Sequence, residues 1–313
     1  MSSSNAVAVR YIQEDPAAYG VTPTVGAWET ARAVSESIGG SPNTTISNES
    51  RDDRMDADQV QVGLDVSGNI SGELSAVTWD AFMEAAMCGD WDEGVADELN
   101  IGTQNRSFSI EKEFTDHDTP YFISTTGMRV GSMSLSFAYG QISTVDFGFA
   151  GNGVTTGNVS AVAGSATVNP ATLNPVMNAS SNVTNILVNG LPADQCIQQI
   201  DLNLDNNMTE VTCIGDLAPA DQTKFGASVT GSLTPYFDDS TQAIYDAIVN
   251  NTSFTLEFTA SDGVNERTFL IPNARVSGDA PNKGGKDQDV FIPFDFTGLF
   301  DPVTNTSMRI TRS

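Results

Sequence analysis

The sequence predicts a mainly β protein. It would consist of two tandem β-sandwich or open-barrel domains, each with a short flanking α-helix, together with extended arms. Three observations predict this fold class. The first is a long segment in which apolar and polar residues alternate, and the second is a later segment that repeats it. The third is a series of further matches that follow both segments in the same order.

The first alternating segment runs from Val60 to Glu73. A period of two is typical of a β-strand with one face buried and the other face in water. The segment therefore predicts a strand longer than average, with polar side chains on its solvent face. The polar residues on that face are Asp65, Ser67, Asn69, Ser71 and Glu73.

The second alternating segment runs from Phe225 to Phe237 and places its own polar residues on one face: Ser228, Thr230, Ser232 and Thr234. Gly226 and Gly231 match Gly63 and Gly68 at the same shift, 226 − 63 = 231 − 68 = 163. A short apolar stretch with helical spacing follows each segment, at residues 79–87 and 243–249. Each stretch predicts one flanking helix.

Further matches follow in the same order. Residues 107–111 match residues 253–257 at a shift of 146, and Arg129-Val130 matches Arg275-Val276 at the same shift. The change of shift from 163 to 146 indicates an insertion of 17 residues in the first copy, at about residues 89–106. We interpret the chain as two diverged copies of one unit, and we expect the insertion to be a surface loop that contacts a partner.

The repeat sets the expected domain boundaries. We predict an N-terminal arm at residues 1–45, a first domain at 46–160, a linker or arm at 161–185 and a second domain at 186–313. The arm has few apolar residues and would contain a short helix or strand; residues 30–38 have room for about two helical turns. We expect the arm to bury little against its own domain, and to be disordered or packed on a neighbour.

The composition limits the class of partner. The formal net charge is −26, and so acidic a chain repels DNA and anionic membrane surfaces. The charge fits either high solubility or a surface along which nucleic acid passes without binding. The three cysteines are too few and too scattered for a disulfide framework, and they are compatible with assembly in a reducing cytoplasm. No apolar run approaches the length of a membrane span, and the first residues do not resemble a signal peptide.

The sequence predicts no catalytic, metal or cofactor site. His117 is the single histidine, it is predicted to lie in a turn, and no Gly-x-Ser-x-Gly motif accompanies it. Asp201-x-Asn203-x-Asp205 resembles the start of a calcium-binding loop, but Asn206 and Thr212 occupy the positions of the required glycine and glutamate. A strand with outward polar residues explains that segment better. No CxxC pair supports zinc binding.

A charged segment precedes the first alternating strand and contains Arg51, Asp52, Asp53 and Arg54. Two interpretations remain open. The segment is either a solvated loop or a protruding hairpin whose charges pair with another subunit.

Several short motifs, taken in order along the chain, can be compared with those of a known protein family. They are Tyr11-Ile12-Gln13-Glu14, Thr22-Pro23, Ser50 to Arg54, Val66 to Leu74, Trp79-Asp80-Ala81-Phe82 and Phe294-Asp295-Phe296. Together they resemble the major tail tube proteins of long-tailed, siphovirus-type bacteriophages, in the branch whose chain carries a duplicated tube domain. The resemblance extends over nearly the whole chain.

The resemblance implies a structural virion protein of the phage tail that is assembled in the host cytoplasm. Subunits of this family form rings by joining their inner sheets edge to edge, and the rings stack into a tube through which DNA passes. With two copies per chain, three chains would form a pseudo-sixfold ring. The implied partners are the tape-measure, tail terminator and tail-tip proteins. The polar residues of both alternating segments, Asp65 to Glu73 and Ser228 to Thr234, would line the channel.

A second interpretation is a carbohydrate-binding or adhesion β-sandwich on the virion surface. It requires an exposed aromatic platform, for which Trp28 and Trp91 are the only candidates.

Overall fold

A computed structural model describes residues 3, 6–50, 52–53, 55–92, 94, 97–162, 164–188, 191–192, 196–237, 241–281, 285–286 and 288–313. The protein is mainly β. In the first half, the elements are β1 (Val7–Gln13), β2 (Ala27–Thr30), β3 (Ala33–Glu36), β4 (Gly39–Ile46), β5 (Gln59–Glu73), α1 (Asp80–Met87), β6 (Trp91–Asp92), β7 (Glu98–Asn100), β8 (Phe108–Phe114), β9 (Tyr121–Ala138) and β10 (Thr144–Ala150).

The remaining elements follow residue 150. They are β11 (Gly153–Gly157), β12 (Thr167–Asn169), β13 (Val183–Val188), β14 (Leu191–Pro192), β15 (Ile197–Asp205), β16 (Thr209–Val211), β17 (Asp221–Thr223), β18 (Ser228–Pro235), α2 (Gln242–Asn250), β19 (Ser253–Ser261), β20 (Glu266–Gly278), β21 (Phe294–Gly298) and β22 (Arg309–Arg312).

One antiparallel sheet, here called the central sheet, runs through both halves of the chain. Its strands lie in the order β4, β5, β10, β9, β15, β18, β21 and β20. Strand β15 pairs with β9 on one side and with β18 on the other, so it joins the two halves. Both alternating segments therefore lie in the same sheet, as β5 and β18.

The two halves contain strand groups with the same pairing order. In the first group β5 pairs with β10, β10 with β9, and β9 with β8. In the second group β18 pairs with β21, β21 with β20, and β20 with β19. Each group contains one helix, which follows its first strand in the chain: α1 follows β5 and α2 follows β18.

The apolar face of the central sheet forms the core. Phe82 of α1 packs in the centre of an aromatic cluster with Tyr11, Phe108, Phe147 and Phe149, at ring-centre distances of 4.4 to 5.5 Å. Helix α1 ends at Cys88, whose φ of 52° is left-handed and stops the helical hydrogen bonding. The helix approaches the sheet closely at Gly72, where a Cβ atom would lie 2.1 Å from the Trp79 ring.

The prediction that residues 1–45 bury little against the rest of the chain is wrong. Strand β1 pairs along its whole length with β8, and β2 pairs with β1 and β12. Trp28 and Ile38 are fully buried, and Val9 is buried. Residues 30–38 contain the end of β2 and strand β3, so the strand alternative for this region is confirmed and the helix alternative is wrong. Backbone pairing of β1 and β2 therefore adds to the contacts of the few apolar residues of this region.

A buried carboxylate fixes the segment that follows β1. Glu14 is 2% exposed and accepts four hydrogen bonds, two at each oxygen, over distances of 2.7 to 2.9 Å. The donors are the backbone N–H groups of Gly20 and Gly127 and the hydroxyls of Ser107 and Ser109. These bonds satisfy the carboxylate and hold the N-terminal segment to β8 and β9.

The expected insertion packs on its own chain. Its strand β7 pairs with β6 and with the C-terminal strand β22, and Leu99 is fully buried. The expectation that this insertion is a loop is therefore wrong for the described residues between 89 and 106, which include strands β6 and β7. The expected contact with a partner stays a prediction. Similarly, the expected linker region contains β12 and the start of β13, and strand β11 lies just before it.

Ion pairs tie α1 to the second half of the chain. Asp80 accepts hydrogen bonds from Arg267 of β20 at 2.9 and 3.1 Å and from Arg312 of β22 at 3.3 Å. The Arg267 side chain is only 4% exposed. The Arg312 guanidinium also lies 4.5 Å from the centre of the Trp91 ring, so the helix, the insertion and the C-terminus meet here.

Candidate functional site

The polar side chains of both alternating segments lie on one continuous face of the central sheet, here called the polar face. One row of directly opposed residues crosses six strands: Ser71, Asp146, Ser134, Asn203, Thr230 and Thr297. The next row is Glu73, Thr144, Ser136, Asp201, Ser232 and Asp295. Opposed residues of paired strands point to the same side of a sheet, so the two rows share one surface.

Strict alternation explains why this face is polar. The residues between the polar positions are apolar and buried, as Phe147, Met133, Leu204 and Val229 show in four neighbouring strands. Because successive side chains of a strand point to opposite faces, the same pattern that builds the core leaves short polar groups on the other side.

Hydroxyl and amide donors orient the carboxylates of the polar face. Asp201 accepts hydrogen bonds from Ser136 at 2.6 Å, from Gln199 at 2.7 Å and from Ser232 at 3.3 Å. Asp146 accepts one bond from Asn69 at 2.7 Å and another from Ser71. Neutral donors leave the negative charges uncompensated, so the face stays acidic.

The polar face is concave. One depression on it has a volume of about 580 Å³ and is lined by residues of both rows, including Asp146, Asp201, Thr230 and Asp295. A second depression of about 370 Å³ lies along the same face beside Ser67, Asn69 and Asp205. The first depression is lined mainly by serine, threonine, asparagine and aspartate side chains, whereas glycines, Phe149, Ala150 and Met208 form much of the second.

The structure brings the predicted channel residues of the two segments together on this face. Asp65 and Ser67 extend it towards the β4–β5 hairpin, and Thr234 continues it at the end of β18. Sequence reasoning left Asp146 and Asp295 out of the predicted set. The match between Asp146-Phe147 and Asp295-Phe296 could have identified both, because each aspartate precedes a buried phenylalanine.

The structure also places two other segments singled out in the sequence, residues 201–205 and residues 51–54. The segment Asp201-x-Asn203-x-Asp205 forms strand β15, so the strand interpretation is confirmed and the calcium-loop interpretation is wrong. Asp52 and Asp53 lie in a turn of the connection between β4 and β5, whereas Arg51 and Arg54 lie outside the described residues. Strand β4 is exposed along nearly all of its length, so this hairpin extends from the body.

The residues that an enzyme, a metal site or a carbohydrate-binding module would use do not form such sites in the described part of the chain. His117 is exposed in the turn after β8, away from the polar face. Within the described ranges, no group of three or more His, Cys, Asp or Glu side chains could hold a metal ion. Trp28 and Trp91 are both buried, so they do not form the exposed aromatic platform that a carbohydrate-binding module requires. No helix in the described part of the chain is long and apolar enough to span a membrane.

The fold and the polar face define a β-structured protein whose most distinctive surface is an acidic, hydroxyl-rich sheet. In a comparison with protein families, the profile of the phage tail tube protein family matches residues 4–298. The chain belongs to this family. It is a structural component of the virion tail that self-assembles into the tail tube, and membership in a structural family implies a non-enzymatic protein. Comparison with curated proteins gives no match.

Proposed function

We propose that the chain is the ring subunit of a siphovirus-type tail tube. Each chain contributes two tube units, three chains form a pseudo-sixfold ring, and stacked rings enclose a channel through which DNA passes during ejection. The tape-measure, tail terminator and tail-tip proteins are the further partners of such a tube. The observation that carries this proposal is the single acidic face shared by both halves of the chain.

The common pairing order supports two units per chain. The groups β5–β10–β9–β8 and β18–β21–β20–β19 match strand for strand, and each has its helix after the first strand. Their sequences match at shifts of 163 and 146 residues. On this basis we assign the units to residues 46–160 and 186–313, with residues 1–45 and 161–185 as additions that pack on them.

The junction between the units suggests how chains join. Ser67 of the first unit corresponds to Thr230 of the second, because 230 − 163 = 67. Thr230 lies opposite Asn203 of β15, and Ser67 lies opposite Gly39 of β4. Strand β15 and the start of β4 therefore occupy equivalent positions. The other edge of β15 pairs with β9, whereas no strand in the described part of the chain pairs with the other edge of β4.

Since β20 is equivalent to β9, the end of β20 in one chain would pair with β4 of the next chain. Three such contacts would alternate with the three β9–β15 junctions and close the ring. Closure would cover sheet edges that otherwise promote aggregation.

The chemistry of the polar face suits a channel for DNA. Proteins grip DNA mainly through lysine and arginine, because each phosphate contact releases condensed counterions. The two central rows of the face contain no lysine or arginine, and they carry the carboxylates of Asp146, Asp201 and Asp295. Such a wall repels the phosphate backbone and leaves DNA free to move.

Lysine substitution tests the channel location. We expect Ser67→Lys with Asn69→Lys to leave tubes intact and to slow DNA ejection, because two added cations per chain create phosphate contacts along the channel. The matched control is Asn105→Lys with Thr119→Lys, which adds the same charge at two exposed positions off the central sheet. Ejection from purified particles is followed by fluorescence of released DNA. Intact tubes with unchanged ejection rates in the Ser67 and Asn69 variant would contradict a channel location.

A further inference from the structure

A lysine and a cysteine from the two halves of the chain contact each other beneath the surface. The Lys224 ε-amino nitrogen lies 3.3 Å from the Cys88 sulfur and donates a hydrogen bond to the Ala85 carbonyl at 2.9 Å. Cys88 caps the C-terminus of α1 and is 7% exposed. Lys224 lies in the connection between β17 and β18 and is partly buried. The pair has no role in the polar face.

The surroundings lower the pKa of this amine. Burial lowers the pKa of Lys224, and although the Cys88 thiol acts in the opposite direction, the charges of Arg129 and Arg106 add to the lowering. Among the described residues, the amine has a thiol and a carbonyl as hydrogen-bond partners and no carboxylate. A neutral amine is a nucleophile, whereas an ammonium ion is not.

We propose that Cys88 and Lys224 form a nitrogen–sulfur cross-link when the protein meets a hydroperoxide. In the first step the Cys88 sulfur attacks the peroxide, the O–O bond breaks, and a sulfenic acid and an alcohol or water form. In the second step the Lys224 nitrogen attacks that sulfur, the S–O bond breaks, and hydroxide leaves with one amine proton as water. The thiol and the amine lose two electrons and two protons in total, and the hydroperoxide is reduced.

The geometry favours this outcome over further oxidation of the sulfur. The amine is already in contact with the thiol, so the second step requires only a small movement of a flexible side chain. Cys196 and Cys213 are exposed, and neither has a described lysine contact, so they lack this route. The cross-link would join α1 to the segment before β18, across 136 residues of sequence, and would restrict the unfolded chain as a disulfide does.

The test uses the full chain with Cys196→Ser and Cys213→Ser, so that Cys88 is the single thiol. After treatment with hydrogen peroxide, the intact mass should fall by two hydrogen atoms. Tryptic digestion should give one peptide pair joined through Cys88 and Lys224, and dithiothreitol should release it. The mapped peptide pair identifies the bond in the parent chain directly, without relying on any variant that could fail to fold.

Two variants complete the test. Lys224→Arg keeps a nitrogen hydrogen-bond donor at this position but has no amine that can close the bond, so we expect loss of the cross-linked peptide and accumulation of a sulfenic acid that dimedone traps. Cys88→Ser should lose both products. The proposal is overturned if the parent chain gains only oxygen atoms at Cys88, or if Lys224→Arg yields a species of the same reduced mass. Neither result depends on tube formation, so the proposed tube function stands or falls separately.

Discussion

Substitution of Asp80 by asparagine tests whether the two halves of the chain are held together by the buried ion pairs. The change removes the negative charge that faces Arg267, which is 4% exposed and keeps only the Glu266 carbonyl as a further described acceptor. Loss of one partner from a buried ion pair costs about 3–5 kcal/mol. Asparagine retains one oxygen acceptor, so we expect the lower end, about 3 kcal/mol, which corresponds to a roughly hundredfold smaller folding equilibrium constant.

Urea unfolding followed by tryptophan fluorescence measures this loss at a fixed protein concentration. With an m-value of roughly 3 kcal/mol/M, the midpoint should fall by about 1 M. Asp92→Asn makes the same chemical change at an exposed position and should alter stability by less than about 0.5 kcal/mol. Adding Arg267→Met to Asp80→Asn should recover part of the loss, because the penalty comes from the stranded guanidinium. Equal midpoints for the Asp80 and Asp92 variants would refute the reasoning.

Two further predictions concern buried and capped carboxylates. Glu14→Gln should destabilise the fold by about 2 kcal/mol in thermal or urea unfolding, because either orientation of the amide leaves one backbone N–H facing an NH₂ group; an unchanged midpoint would show that the four bonds to Glu14 are dispensable. The backbone N–H and hydroxyl of Thr304 lower the pKa of Asp301 below its usual value of 3.8. These two bonds close a turn at residues 301–304. The turn therefore gains its stability above pH 3.8 and loses it as the pH falls through the lowered pKa. An NMR titration of Asp301 with a pKa at or above 3.8 would contradict the described turn.

Alternation in the sequence predicted the strands of the polar face because one physical requirement determines both sides of a strand. Residues that build the core fix the period, and the residues between them then face away from it. Strand β15 could be predicted in the same way from Leu202 and Leu204. Alternation predicts a strand but not its burial, since Val60, Val62 and Phe225 continue the pattern and are exposed.

Short strands whose partners are distant in the sequence could not be predicted. Strand β7 has three residues and one buried side chain, Leu99, and its partner β22 lies more than 200 residues away. Nothing local distinguishes such a segment from a loop. The pairing of β15 with β9 was also beyond sequence reasoning, because alternation determines which face of a strand is buried and not which strand lies beside it. The single sheet through both halves therefore emerged only from the structure.

A side-chain-resolution density map of assembled tubes tests the central claim most directly. The proposed arrangement places Asp146, Asp201 and Thr230 at the channel surface, with three chains per ring and β4 of each chain paired with β20 of its neighbour. A map in which these three side chains lie on the outer wall, or in which six chains make up each ring, would contradict it.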